Sequence, residues 1–175
     1  MNTIETERLI LREPVIADAE PLLEIQNSPF VQKYNAMKII DIEKMREKIS
    51  GYIENRDTMF IICKEDNKLI GAIWFNDDES RHDVKSLCLS YYLSEQYARK
   101  GYMKEALRAL IEALFINDPE LVLLSSGVFS ENVGSERLLC SLGFVHEGTI
   151  RRAVRDNNGV VHDDKRFSLL REEWE

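Results

Sequence analysis

Residues 91–115 read YYLSEQYARKGYMKEALRALIEALF, and no other stretch limits the fold as much. Tyr91, Tyr92 and Leu93 close an apolar run that reads as a strand end. A short polar connection follows, holding Arg99, Lys100 and Gly101. Then Met103, Ala106, Leu107, Leu110, Ile111, Leu114 and Phe115 recur at the spacing of one helical face. Lys104, Glu105, Arg108 and Glu112 fall on the other face, so this helix must lay its apolar stripe on another layer. A strand, a basic turn with a glycine and a helix start together suit an anion. The first N–H groups of a helix lack intrahelical partners, and the helix dipole favours negative charge there. Gly101 would let a phosphate approach the backbone with no Cβ in the way. The same residues also suit an ordinary strand–helix turn with a solvated basic pair, and the turn alone does not choose between the two.

The rest of the chain alternates strand and helix signals. Strands are expected at 8–12, 58–63, 69–75, 84–93, 121–129, 144–154 and 160–170. Helices are expected at 16–26, 42–53 (with Asp41 as N-cap) and 132–142, the last closed by Gly143. Glu65 to Lys68 and Asp156 to Gly159 read as hairpin turns. The acidic run 76–83, NDDESRHD, reads as a solvated loop. The order β–α–α–β–β–β–α–β–α–β–β predicts a mixed α/β fold in one domain spanning 1–175.

Composition narrows the function. A net charge of −8 argues against a direct nucleic-acid binder, whose footprint would be basic. No apolar run approaches the roughly 20 residues that cross a bilayer, and MNTIETERLILRE lacks the basic-then-apolar order of a signal peptide. Cys63, Cys88 and Cys140 sit in apolar contexts without a C-x-x-C, so buried, reduced thiols and a cytoplasmic location are expected. There is no Walker A sequence, no G-x-S-x-G and no H-E-x-x-H; His82, His146 and His162 are scattered, and no metal site is expected.

A second constellation lies at 129–148, FSENVGSERLLCSLGFVHEG. Asn132 and Ser135 stand three apart at a helix start. They read either as capping chemistry or as two polar groups aimed into a cleft.

Together these segments resemble the GCN5-related N-acetyltransferase (GNAT) superfamily, and within it the RimJ/RimL-like group. TERLILRE resembles that group's first strand, YARKGYMKEA its acetyl-CoA pyrophosphate loop, and ENVGSERLLCSLGFVHEG its N-x-x-S…L-G-F-x-x-E-G signature. His162-Asp163 followed by FSLLREEW resembles its last strand and terminus. The resemblance implies a mixed, mostly antiparallel, splayed central sheet flanked by helices. It also implies acetyl-CoA as cosubstrate and a direct attack by a primary amine on the thioester. The amine would belong to a small molecule, a polyamine or a protein N-terminus, ribosomal proteins included. A GNAT-like module that holds acyl-CoA with little turnover is the alternative, and the resemblance leaves a homodimer open.

The resemblance also assigns residues. Tyr91, Tyr92 and Leu93 would offer backbone groups to pantetheine. Arg99, Lys100, Gly101, Tyr102, Met103 and Lys104 would form the pyrophosphate loop. Asn132 and Ser135 would hold the pantetheine end, and Ser135 would also be the acid on the thiol side. Phe30, Tyr34 and Asn35 would line the acceptor entrance, between the first two helices and the final hairpin. The sequence departs from the superfamily pattern Q/R-x-x-G-x-G/A at Ala98 and Met103, the latter expected to put bulk beside the pyrophosphate path. Leu139 stands where many relatives carry a tyrosine acid. Cys88 and Val154 stand where relatives carry a glutamate base, so the base stays unassigned, with Glu147, Asp156 and Asp163 the nearby acids in sequence. Trp74 reads as a core residue.

Overall fold

Thr6 and Leu9 set the first turn: the Thr6 amide donates to the Leu9 carbonyl, folding a two-residue strand β1 (Ile4–Glu5) back onto β2 (Leu9–Arg12). The computed structural model describes residues 2–174. Alternation along β2 sends Leu9 and Leu11 fully inside. Arg12 turns back to Asp18, whose two oxygens take its guanidinium at 2.8 and 2.7 Å. That pair anchors the short turn of 3-10 helix leading into α1 (Ala19–Asn27). Ser28 and Pro29 end α1 as expected, but they also start a one-turn helix, α2 (Pro29–Gln32): proline suits the first helical position, and the Ser28 hydroxyl accepts from the Val31 amide. Asp41 caps α3 (Ile42–Asn55), accepting from the Lys44 amide at 2.9 Å.

The sheet continues with β3 (Thr58–Cys63), β4 (Lys68–Asp77) and β5 (Ser86–Leu93). Then come α4 (Tyr102–Asn117), β6 (Leu123–Phe129), α5 (Val133–Ser141), β7 (Val145–Arg155) and β8 (Val161–Leu170). The strands form one eight-stranded sheet in the order β1-β2-β3-β4-β5-β6-β8-β7, and every pair is antiparallel except β5–β6. Helix α4 buries its expected stripe, from Met103 to Phe115, on one face with Leu89, Leu124 and Phe167. Helices α1 and α3 cover the other face around Phe60, Ala72, Trp74 and Tyr92. Among the described residues, no helix is long and apolar enough to cross a membrane.

The one parallel pair is also the shortest register in the centre of the sheet. β5 and β6 match only from Ser86↔Leu123 to Cys88↔Ser125. Beyond that, β4 follows β5 as far as Leu93, and β8 follows β6 as far as Phe129. The sheet therefore forks. A last tie spans the fork, where the Ser126 hydroxyl donates to the Leu89 carbonyl at 2.9 Å.

Two expectations are corrected. Only Cys63 is buried; Cys88 is half-buried and Cys140 exposed, because Leu139 takes the inward position of α5 and turns its neighbour outward. The run 76–83 is not simply solvated: β4 extends through Asp77, and Asp78 is buried, accepting from the Ser125 hydroxyl at 2.5 Å and from Ser80.

Candidate active site

The turn before α4 is held in an unusual conformation. Arg99 and Gly101 both lie in the left-handed region, with φ of 61° and 81°. Arg99, Lys100, Gly101 and Lys104 are exposed, so the basic side chains flank the free amides of the helix start. Tyr102 and Met103 instead point into the core. The expected bulk of Met103 beside the loop is therefore absent, and these two positions present only backbone outward. The loop is clamped from the first hairpin. Arg8 Nη1 donates to the Lys100 carbonyl at 3.0 Å, and Arg8 Nε to Glu105 Oε2 at 2.6 Å. The Thr6 hydroxyl and the Arg8 amide donate to Glu105 Oε1 at 2.6 and 2.9 Å, while the Arg8 guanidinium lies 4.4 Å over the Tyr102 ring. Burial opposes the Glu105 charge, yet these donors outweigh it and hold the carboxyl below its ordinary value.

The turn leads to the fork. Here Tyr91 faces α5, while Tyr92 faces α3 and Trp74, as the alternation of a strand requires. Asn132 is the N-cap of α5, its Oδ1 accepting from the Ser135 amide at 3.2 Å. That bond uses the amide and not the hydroxyl of Ser135, so capping and a polar role in a cleft coexist. The Tyr91 hydroxyl is buried without a hydrogen-bond partner. Burial pushes its pKa up to about 12, with the neighbouring Ser135 hydroxyl acting in the opposite sense. The phenol therefore stays protonated at neutral pH.

On the far side of the fork, a cleft of about 500 Å³ is lined by Tyr34 and Asn35, by Tyr52, Trp74 and Tyr92, and by Gly127, Asp164 and Arg166; Asn132, Ser135 and Tyr91 reach it from the α5 side. Phe30 lies outside this lining, exposed on α2, which corrects its expected place at the acceptor entrance. Trp74 belongs to both core and wall: it is buried, 5.0 Å from the Tyr92 ring and 5.7 Å from that of Tyr52. Trp74 Nε1 and the Tyr92 hydroxyl are buried polar atoms without partners. At the mouth, Asn157 donates to Gln32 Oε1 and the Met37 carbonyl, so the β7–β8 turn braces the 34–37 loop. A wider depression of about 660 Å³ lies by the Arg12–Asp18 pair, whose charges already satisfy each other; Glu24, Asn67, Lys68 and Gln96 also line it, and it does not include the fork.

The acids nearby in sequence are all occupied outside this lining. Glu147 pairs with Arg81 at 2.5 Å and accepts from the Ser168 hydroxyl. Asp156 binds the His162 ring, which stacks on Phe129 at 4.6 Å. Asp163 accepts the Arg152 amide at 2.7 Å. The acid inside the cleft is Asp164, which strand alternation places on the same face as Arg166. Arg166 lies 3.2 Å from Asp164 and 3.8 Å from Asp78. The two carboxyls are driven apart. Burial penalises the Asp78 charge, but bonds from Ser125 and Ser80 overcome this and lower its pKa. Burial dominates at Asp164 and raises its pKa against the pull of Arg166. Burial also pushes the Cys88 thiol up, which keeps it neutral.

A fork in a mixed sheet, a glycine-led helix start at one end and a polar cleft at the other are features of a known family, and its description, acetyltransferase (GNAT) domain, matches residues 8–145. This chain belongs to the GNAT acetyltransferase family. The GNAT chain is 32% identical over 180 residues to a Bacillus licheniformis protein named uncharacterized N-acetyltransferase p20, covering 99% of both chains. Its fold is that of the Vibrio fischeri ribosomal-protein-S5-alanine acetyltransferase, with a TM-score of 0.86, 20% identity and full coverage of both chains (100%). It also matches the microcin C7 self-immunity acetyltransferase solved with acetyl-CoA and AMP, with a TM-score of 0.81, 23% identity and coverage of 94% of this chain and 93% of that one. The splayed, mostly antiparallel sheet implied by the resemblance is thus the fold of this GNAT chain.

Proposed function

We propose that the protein is an acetyl-CoA-dependent N-acetyltransferase acting on a primary amine. The observation that carries this reading is the alignment of three features: the clamped Arg99-Lys100-Gly101 turn, the β5–β6 fork, and the polar cleft beyond it. The fork leaves strand edges that suit a pantetheine arm lying as an added strand. The α4 start suits the pyrophosphate, with Gly101 and Arg99 holding the left-handed turn that exposes its amides. The unpartnered Tyr91 hydroxyl is the kind of buried atom that a ligand completes. Acetyl-CoA supplies an activated acyl group, so no covalent enzyme intermediate is needed. In this reading Ser135 donates on the thiol side and Asn132 orients the α5 start. The three free cysteines accord with a cytoplasmic setting.

The acceptor is an amine-bearing small molecule or a protein N-terminus. The Vibrio fischeri neighbour, by its title an S5-alanine acetyltransferase, favours a protein α-amine. The departures at Ala98, Leu139 and Cys88 favour a second reading, an acyl-CoA-binding module with little turnover. Calorimetric titration with acetyl-CoA tests the cofactor half. Gly101→Glu adds a Cβ at φ 81° and a carboxylate at the turn, and it should weaken binding by at least about tenfold, or roughly 1.4 kcal/mol. Equal affinity for both proteins, or none for either, removes the reading.

A further inference from the structure

We propose that the Asp164 carboxylate is the proton acceptor for the incoming amine, a role that rests on the transferase reading above. The placement carries it. Asp164 pairs in register with Phe129, and Arg166 with Gly127. The Asp164 oxygens lie 2.8 and 3.0 Å from the point where a Cβ on Gly127 would stand, so only glycine leaves room for the carboxylate over β6. Gly127 directly follows Ser126, whose hydroxyl makes the last tie to β5. The carboxylate thus sits at the root of the fork, on the cleft side, where Asp164 is 7% exposed.

Its surroundings leave it incomplete. Among the described residues, the one donor reaching Asp164 is Arg166 Nη1, and that guanidinium is shared with Asp78. A carboxylate offers about four acceptor positions. Arg166 and His162 stand on its own strand, Asp78 and Arg81 come from the loop after β4, Cys88 from β5, and Tyr34 from the entrance loop. From β7, Ile150 opposes it and Val154 lines the cleft, both apolar. An ammonium group completes such a site, supplying donors and a compensating charge. Two carboxyls on one arginine with pKa values driven apart are the arrangement that separates a fixed counter-ion, Asp78, from a titrating group, Asp164.

The step balances. The acceptor arrives as an ammonium ion, and Asp164 takes one proton, freeing the nitrogen lone pair. The C–N bond forms as the C–S bond breaks. The amide nitrogen gives up a second proton and the sulfur gains one, so the products are an amide and a thiol, and Asp164 returns its proton to solvent.

The test compares wild type with Asp164→Asn, using spermidine and a serine-initiated tripeptide as acceptors across the neutral and alkaline range. Acetyl-CoA affinity is measured by calorimetry, and the Asp164 carboxyl carbon is followed by NMR in the free wild-type protein. Asp164→Asn should slow transfer near neutrality by about 10²-fold or more, with acetyl-CoA affinity unchanged. The deficit should be larger for the alkylamine (ordinary pKa about 10.4) than for the peptide α-amine (about 7.7–8.0), and should shrink as pH rises. The carboxyl resonance should titrate above the ordinary aspartate value. Equal rates and pH profiles for the variant and an active wild type overturn the role alone, as does a carboxyl titrating at or below the ordinary value. A wild type that acetylates neither acceptor removes the transferase reading, and this role with it.

Discussion

In the proposed reaction Ser135 is the residue that serves the thiol side. Its amide is committed to the Asn132 cap, which fixes the backbone of the α5 start and so fixes where the hydroxyl can point. Behind it stands the Tyr91 phenol, buried and held protonated by a pKa of about 12. Ser135→Ala keeps the cap, because the bond runs through the backbone. It should therefore leave stability and acetyl-CoA affinity intact while slowing turnover by about 10²-fold, as steady-state kinetics beside calorimetry would reveal. A loss of affinity equal to the loss of rate would make Ser135 a binding residue instead.

At the scale of elements, the first hairpin and the start of α4 act as one unit. Thr6 and Arg8 deliver three donors to Glu105, and Arg8 carries a fourth bond to the Lys100 carbonyl, so the α4 turn is held from the hairpin turn between β1 and β2. The Glu105 carboxyl has a depressed pKa in the folded state. Its stabilisation is therefore present above the unfolded value of about 4.3 and is lost as pH falls through the folded one. Glu105→Gln should cost about 1–3 kcal/mol at pH 7, and the difference from wild type in urea unfolding should shrink and vanish as pH falls through the depressed folded value. The elements of this unit were legible in the sequence, since the stripe from Met103 to Phe115 and the Arg99 to Gly101 turn read directly. The clamp was not, because nothing in a linear pattern brings Thr6 and Arg8 to Glu105. Asp164 was missed differently. Strand alternation on β8 could have separated it from Asp163, which faces the Arg152 amide, but choosing which face is the cleft needs the fork. The apolar setting of Cys140 misled because its neighbours Leu139 and Leu142 carry the burial.

Across the whole molecule, the fork organises everything. A single parallel pair in an otherwise antiparallel sheet, cut short after three residue pairs, lets β5 stay with β4 and β6 with β8. The α4–α5 face then offers the turn, Tyr91 and Ser135, and the α1–α3 face offers the aromatic wall and Asp164. In the proposed reaction the two reactants enter from opposite sides and meet at the root of the fork, where Asp164 and Ser135 both line the cleft. A module that only held acyl-CoA would need no buried, unfilled carboxylate on the far side. The most direct measurement is thiol release from acetyl-CoA, followed with and without primary-amine acceptors, with N-acetyl product quantified by mass spectrometry. The expected result is release that depends on the amine and matches the N-acetyl product one for one. Acetyl-CoA that binds, yet releases no thiol with any amine, would contradict it.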